Sequence, residues 1–310
     1  MTIFSVIIPV FNGESYISET VESVIQFSRN QSREVIVIND GSKDSTLEIL
    51  QKYAPMISII NQTNAGEASA VNKGISLARG RYSLVVSADD PLISENLFVR
   101  AQEILDNDQD CVAVYPDWQM IDAKNEVLSI KYCPEYSFEE LLGEFHCIPG
   151  PGTIFRTQDA LAIGGRSSKY KFVSDYDFWL RLALRGKFSH VSQILAQWRS
   201  HDQSTSIGHR GEAMALERIG VIRDFLDQYP QSKDLAKQAK ACSLYNAAIL
   251  SFFNPELPGR RWMIEALRTN KRWIKSSKIH IVGYLLLLPI SRSIYNLLAS
   301  SGVLRQHGHR

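Results

Sequence analysis

Between residues 3 and 90 the sequence switches four times between β-branched apolar runs and helix-periodic segments, and no other feature restricts the fold as much. Residues 3–9, 34–39, 57–60 and 82–86 read as strands, and 14–27, 43–53 and 65–78 as helices. The first helix carries Ile17, Val21, Val24 and Ile25 on one face. Such alternation builds βαβ units, which need a mostly parallel sheet with helices on both faces. Ser42, just after the Asp40-Gly41 turn, is placed to cap the second helix.

Each strand runs out into polar residues: Pro9 and Asn12, Asn39 and Asp40, Asn61 and Asn64, then Ser87, Asp89 and Asp90. In a doubly wound sheet these positions meet on one rim, the carboxyl edge, where ligands bind. The fourth strand stops at two adjacent carboxylates, and Pro91 ends it. Hard cations take oxygen ligands, and Mg²⁺ is commonly held by one or two carboxylates plus substrate phosphates. Asp89 and Asp90 are therefore candidates to hold a metal that holds a diphosphate. A lone acidic pair serves equally as a cap or a solvated surface; the convergence with the other strand ends favours a site. Neither GxGxxG after the first strand nor GxxxxGK[ST] occurs, which excludes a dinucleotide fingerprint and a P-loop.

Beyond Pro91 the pattern loosens. Residues 97–105 and 138–145 read as helices, 111–115, 127–132 and 153–156 as strands, and 188–199 as two short β pieces. Asp175 and Asp177 fall at a helix start, where negative charge is favourable, so an N-terminal cap is the plain alternative to a chemical role for Asp175. After Gly208 the chain turns helical, with amphipathic segments at 211–228, 232–253 and 259–275 split by Pro230, Pro255 and Pro258. Residues 1–207 are thus expected to form one α/β domain, with a nucleotide-binding half (1–92) and an acceptor half (93–207), and 208–310 a helical region.

Charge is unevenly placed. Residues 259–310 hold ten Lys or Arg and one acid, Glu265, in a chain whose net charge is only +1. Lys271, Arg272, Lys275 and Lys278 precede the apolar run 281–288. That order fits an interfacial helix with basic residues at lipid headgroups; a helical subdomain packed on the core or on a second copy is the alternative. The apolar runs fall short of the roughly 18 residues of a spanning helix. No motif pairs the charge with nucleic-acid binding. Cys111, Cys133, Cys147 and Cys242 form no CxxC pair or zinc framework and read as free thiols of a reducing compartment. The sequence enters its first strand without a charged leader, and a cytoplasmic protein, peripheral on the membrane face, is the expectation.

Five stretches together resemble the inverting, non-processive family 2 glycosyltransferases of GT-A fold: Ile8-Pro-Val-Phe-Asn12, Ile38-Asn-Asp-Gly-Ser-Lys-Asp44, Asn64-Ala-Gly-Glu-Ala-Ser-Ala-Val-Asn-Lys-Gly74, Ser87-Ala-Asp-Asp90 and Ser174-Asp-Tyr-Asp-Phe-Trp-Leu-Arg181. The resemblance spans roughly residues 3–206. It implies a nucleotide diphosphate sugar as donor, usually a UDP-sugar, a glycan acceptor and Mn²⁺ or Mg²⁺ as cofactor. It places Pro9, Phe11 and Glu14 near the base, Asp40 on base or ribose, Asn64 in the nucleotide wall, Asp89 on the ribose, and Asp90 on the metal with His201. It places Arg199 at the diphosphate, Gly152 and Thr153 on the acceptor side, and Asp175 as general base. The chain departs from the family pattern at Asn39, Ser87 and Ser174, where carboxylates are common, and lacks the Gln-x-x-Arg-Trp motif of processive synthases. Two rivals remain: a nucleotidyltransferase acting on a sugar phosphate, which would want a basic residue in 8–16 where none stands, and a non-catalytic nucleotide-sugar module, which would bind UDP without turnover.

Overall fold

The computed structural model describes residues 2–146, 149–201, 211–250 and 258–271. Contacts divide the chain into two compact units, residues 1–210 and 211–310.

The first unit is built on a mixed sheet. Strands β1 (Phe4–Val10), β2 (Arg33–Asn39), β3 (Ser58–Asn61) and β4 (Tyr82–Val85) are parallel, β2 and β4 flanking β1. Strands β5 (Cys111–Ile121), β6 (Val127–Lys131), β7 (Ile154–Arg156) and β8 (Lys187–Arg199) complete it in the order β3-β2-β1-β4-β7-β5-β6, with β8 also on β5. β7 is antiparallel to β4 and β5, whereas β8 is parallel to β5. Helices α1 (Ile17–Phe27), α2 (Thr46–Gln51), α3 (Glu67–Leu77), α4 (Asn96–Asn107), α5 (Phe138–Glu144), α6 (Thr157–Ala162) and α7 (Ser174–Ala183) fill the connections.

All seven residues of β1 are buried, as a central parallel strand covered on both faces requires. Its alternate residues Phe4, Val6, Ile8 and Val10 share one core with Ile17 and Val21 of α1, Leu50 of α2 and Leu97 and Phe98 of α4. Each such side chain contributes about 1.5–3 kcal/mol by leaving water. The other face belongs to α3 and α7. Ile36 and Ile38 pack on Ala70 of α3, and Gly74 lets that helix approach, since a Cβ there would stand 2.2 Å from Ile7 Cγ2. Phe155 meets Phe178 and Trp179 of α7 edge to face. Pro9 sits inside β1 without breaking the ladder. Val10 O accepts the Asp40 N–H on the β2 side, so Pro9 faces the β4 side, past the last paired residue, Val85.

Three local expectations change. Residues 187–199 form one strand; register shifts around Asp117 break the alternation and make it read as two pieces. β5 runs on to Ile121, because its second half is paired by both β6 and β8. Ser42 does not cap α2: Asp44 Oδ1 accepts the Thr46 N–H and hydroxyl there, and Ser42 Oγ turns to another loop.

The second unit contains α8 (Gly211–Gln228), α9 (Lys233–Leu250) and α10 (Gly259–Thr269). Leu244 and Ala248 of α9 pack on Met263 and Ala266 of α10, with Ile219 of α8 alongside. Arg260 and Arg261 are exposed. Among the described residues no helix is long and apolar enough to cross a membrane. The apolar run 279–290 and most of the basic tail lie outside the described residues, as do the loop 202–206 and Cys147.

Candidate active site

The first wall of the rim is two loops sewn together. The loop after β1 gives the N–H groups of Asn12, Gly13 and Glu14 to Ser42 Oγ, Thr46 Oγ1 and Asp44 Oδ2 (2.9, 2.8 and 3.1 Å). In return the Lys43 and Ser45 N–H groups bind Asn12 Oδ1 and Glu14 Oε2 (2.8 and 2.9 Å). Partial burial raises the Asp44 carboxyl, but the Thr46 hydroxyl and the Glu14 and Thr46 N–H groups outweigh it and hold the pKa below the usual value. Glu14, expected at the base, thus fastens one loop to the other. Phe11 remains 48% exposed, an open aromatic on the same loop.

Asp40 is buried and faces the next loop. Its Oδ1 accepts Gln62 Nε2–H and the Ala65 N–H (2.8 and 2.9 Å), and Oδ2 the Gly66 N–H (2.9 Å). Three of its roughly four acceptor positions are taken by protein. Gly41 has φ +74°, and a Cβ there would lie 2.8 Å from Asn64 N, so only glycine lets the two loops close. Asn64 stays exposed on the rim. Asn39, where the family often has a carboxylate, donates from Nδ2 to Asn61 Oδ1 of its register partner (2.9 Å).

At the end of β4 the two carboxylates part company. Asp90 turns inward, 7% exposed, and its Oδ1 accepts the Arg199 N–H (2.7 Å). Burial, then the charge of Asp89, push its carboxyl well above the ordinary range, against the Arg199 N–H and the Ser87 hydroxyl. Asp89 turns outward, and its Oδ2 lies 2.8 Å from His201 Nε2. Of the two carboxylates expected at ribose and metal, Asp89 is the one beside His201. Ser87 supplies one hydrogen bond to Asp90.

Arg199, expected at the diphosphate, is enclosed. It is 1% exposed, and its guanidinium donates to Asp89 O, Asp122 O, Asn125 Oδ1 and Glu19 Oε2 (2.8, 3.2, 2.7 and 2.8 Å). Its cation lies 4.8 Å from the Tyr16 ring centre, and Tyr16 packs on His201 with centroids 4.9 Å apart. Enclosed this way, Arg199 braces the end of β4 rather than facing a diphosphate. Glu19 and Tyr16 were missed from sequence; both lie on or beside the first turn of α1, among residues read only as a helix face.

Asp175 stands in the first turn of α7, its Oδ1 accepting the Tyr176 N–H (2.8 Å). Burial raises its carboxyl; the Arg166 guanidinium opposes and the Glu67 charge adds to the rise. Arg166 and Glu67 are themselves paired at 2.7 Å. Asn72 of α3 clamps Arg166 at both backbone groups (2.7 Å each). Gly165 makes this possible: its φ is +71°, and a Cβ would stand 2.2 Å from Asn72 Oδ1. The Gly164-Gly165 pair was the sequence signal for Arg166, which the sequence reading passed over. Asp177 pairs with Arg181, whose guanidinium also holds the Ile163 and Gly165 carbonyls.

Gly152 and Thr153, expected on the acceptor side, are packed inward. A Cβ on Gly152 would meet Ala196 Cβ at 2.6 Å, and the buried Thr153 hydroxyl donates to Gly150 O (2.6 Å). His146 pairs with Glu140 of α5 (2.7 Å). Among the described residues no group of three or more His, Cys, Asp or Glu is assembled for a metal; Asp89 and His201 are a pair.

Known proteins match this arrangement. The model of Glycosyl transferase family 2 matches residues 5–159, half of the chain. Hyaluronan synthase of Pasteurella multocida is 31% identical over 214 residues, which are 67% of this chain and 21% of that protein. S. aureus TarS 1–349, solved in complex with UDP-GlcNAc, superposes with a TM-score of 0.65 at 20% identity, covering 86% of this chain and 80% of that one. A mannosyltransferase from Pyrobaculum calidifontis, solved with GDP-Man and Mn²⁺, superposes at 0.56 with 15% identity, covering 93% and 86%. These neighbours share the GT-A fold. A parallel half-sheet with loops laced at its carboxyl rim, an acidic pair ending β4, and a family match across that same stretch leave one assignment: the chain belongs to glycosyl transferase family 2.

Proposed function

We propose that the protein transfers one sugar from a nucleotide diphosphate sugar, a UDP-sugar by the TarS likeness, to an acceptor hydroxyl with inversion. The observation that carries this reading is the pairing, on one rim, of the outward Asp89–His201 contact with a separate, half-buried carboxylate of raised pKa, Asp175. Two acidic groups in contrasting environments suit two different tasks.

A divalent metal fits the first group, since an outward carboxylate oxygen and an imidazole nitrogen already meet there, both donors that Mn²⁺ accepts. Asp89 and His201 would hold it, with the donor's phosphates completing the shell. When bound, the ion supplies Lewis-acid stabilisation of the departing diphosphate. Asp90 and Arg199 fix the backbone from which Asp89 projects. Phe11 offers an open ring for the base, and Asp40 keeps one acceptor position while it orders the 62–66 loop. Asp175 takes the proton from the acceptor hydroxyl as that oxygen attacks the anomeric carbon; a carboxylate of raised pKa is the better base. A single base acting across the donor from the leaving group gives inversion.

The synthase relative supports a product in polysaccharide or cell-surface glycan assembly. The absence of Gln-x-x-Arg-Trp supports one sugar per encounter. The basic tail supports a lipid-linked acceptor at the cytoplasmic membrane face. The test is Asp175→Asn against a panel of UDP-, GDP- and dTDP-sugars with Mn²⁺. Transfer should vanish while UDP affinity stays within a few-fold. Undiminished transfer removes Asp175 from the mechanism, and a parent enzyme that binds UDP but turns over no donor makes the chain a binding module.

A further inference from the structure

Strand β6 ends the sheet beside β5 and is more apolar than a strand left in water should be. All five of its residues are exposed, Val127, Leu128 and Ile130 among them, and the exposed Tyr132 follows. β3, at the far end of the sheet, differs: its Ile59 and Ile60 are partly buried against the cores. Open sheet edges are normally short, charged or covered, because their outward N–H and C=O groups recruit another strand. The hairpin that carries β6 is also held in place. Asn125 at its turn donates from Nδ2 to Glu19 Oε1 and accepts from the Arg199 guanidinium (2.9 and 2.7 Å).

The phase of the ladder decides which groups face outward. Ile121 O accepts the Ser200 N–H, so Ile121 turns its backbone toward β8, and Gln119, two residues back, does the same. Their partners on β6, Val127 and Ile130, therefore turn N–H and C=O away from β5, to the open edge. Glu126 faces the other way, its C=O accepting the Asp122 N–H. Leu128 is the extra residue of a bulge, so Val127 and Ile130 keep the same phase although three positions apart. Side chains follow the same alternation. Val127 and Ile130 share the face of Ile121 and Gln119, while Glu126 and Lys131 share the face of Asp122 and Trp118.

These positions complement themselves under a two-fold axis. Lay β6 of a second copy antiparallel on this edge with Val127 opposite Ile130, and the two outward-facing residues meet and exchange both hydrogen bonds, twice over. The same register sets Glu126 opposite Lys131, again twice, so unlike charges face one another. A one-residue shift either way would set outward-facing groups against inward-facing ones. We propose that β6 pairs in this register with β6 of a second copy of the chain, joining two sheets into one. The occupant is a second copy because the apolar, charge and hydrogen-bond patterns of the strand all match their own reverse. The contact does not depend on the chemistry of the rim. It is short, so the dimer is weak and concentration-dependent.

The test uses the full chain in sedimentation velocity from about 1 to 200 µM, the range in which so short a contact should act. The parent should pass from monomer to dimer. Glu126→Lys and Lys131→Glu should each weaken the dimer about tenfold or more, since both charge pairs turn from attraction to repulsion. Mixed together, the two variants should recover the parent's association, because each pair then sets one lysine against one glutamate. The double variant Glu126→Lys/Lys131→Glu should recover it alone. Thermal midpoints should match the parent's, as both side chains are exposed, which separates lost pairing from lost folding. A parent that stays monomeric overturns the pairing, as does a dimer that ignores the reversals or single variants that fail to rescue each other. A monomer that instead floats with anionic vesicles, and stops doing so in Ile130→Lys, also overturns it and gives the strand to a lipid surface.

Discussion

Replacing Arg199 by lysine separates a brace from a substrate contact. The guanidinium is 1% exposed and feeds four acceptors, Asp89 O, Asp122 O, Asn125 Oδ1 and Glu19 Oε2. Bonds from a charged donor contribute about 1.5–3 kcal/mol each, but they share one group and do not add. Lysine keeps the charge and reaches one or two of the four as a single point. Glu19 is 42% exposed and regains water when released, so it adds little to the loss. The exposed Asn125 and the half-buried Asp89 and Asp122 also recover part of their loss from water, so the cost falls on the cation itself, enclosed with fewer partners. The net cost is therefore about 3–4 kcal/mol, within the range for breaking a buried charged network. In a unit of this size 1 kcal/mol moves the midpoint by about 2–4 °C, so Arg199→Lys should melt about 10 °C below the parent in a thermal scan. Mn²⁺-dependent UDP affinity should fall with it, because the carbonyl held by Arg199 belongs to Asp89. A diphosphate contact predicts the reverse: a midpoint shifted by less than about 3 °C with a raised donor KM alone. That outcome would refute the bracing role.

Glu67→Gln should move the acid limb of the transfer rate to lower pH, and Arg166→Gln to higher pH, because the Glu67 charge raises the Asp175 carboxyl and the Arg166 charge lowers it; a pH–rate profile with unmoved limbs would remove both from the base's environment. The sign for stability is the same: a carboxyl raised on folding is harmless below its unfolded pKa of about 3.9 and costs stability as pH climbs through the folded value. Gly165→Ala must carry a side chain at φ +71° against Asn72 Oδ1, and should cost about 1–3 kcal/mol by thermal melting; an unchanged midpoint would contradict the clamp on Arg166. Asp89→Asn and His201→Ala should each weaken Mn²⁺-dependent UDP binding about tenfold or more by calorimetry, while metal-free binding changes little; equal loss without metal would place both on the nucleotide instead.

The parallel half of the fold was legible because its physics is local. β-branched runs buried on both faces, separated by helices of period 3.6, admit few arrangements, and β1, β2 and β4 fall within a residue or two of the expected segments. The rim was legible for the same reason: in a parallel sheet every strand exit lies on one edge. What the sequence left open depended on contacts distant in sequence. Asp89 and Asp90 are neighbours of one type, and only the N–H of a residue more than a hundred positions away decides which turns inward. Arg199 in an Arg-x-His pattern looks like a phosphate ligand until Glu19 and Asn125 are seen to surround it. Thr153 beside two glycines looks like an open loop until its hydroxyl is found folded back on Gly150. β8 looked broken because a register shift near Asp117 interrupts the alternation that marks a strand.

The three departures from the family pattern have a common physical answer in the way this rim is held. Asn39 replaces a carboxylate with an amide that donates to Asn61, where an acid would offer no proton. Ser87 donates a hydroxyl to Asp90, where a third carboxylate would add negative charge to a group that burial and Asp89 already push toward neutrality. Ser174 is 5% exposed, where a longer acid would bury a charge beside Asp175 and raise that carboxyl further. Each change removes an anion from a place already crowded with them, and each leaves Asp40, Asp89 or Asp175 in position. At the proposed metal site, fewer carboxylates would leave Asp89 and His201 with a larger share of the binding than they would have beside a third acid. The chain should therefore be more sensitive to loss of His201 than a relative with three carboxylates at this strand end. Ser87→Asp should restore part of the Mn²⁺ affinity lost in His201→Ala, and no recovery would show that Ser87 lies out of reach of the ion.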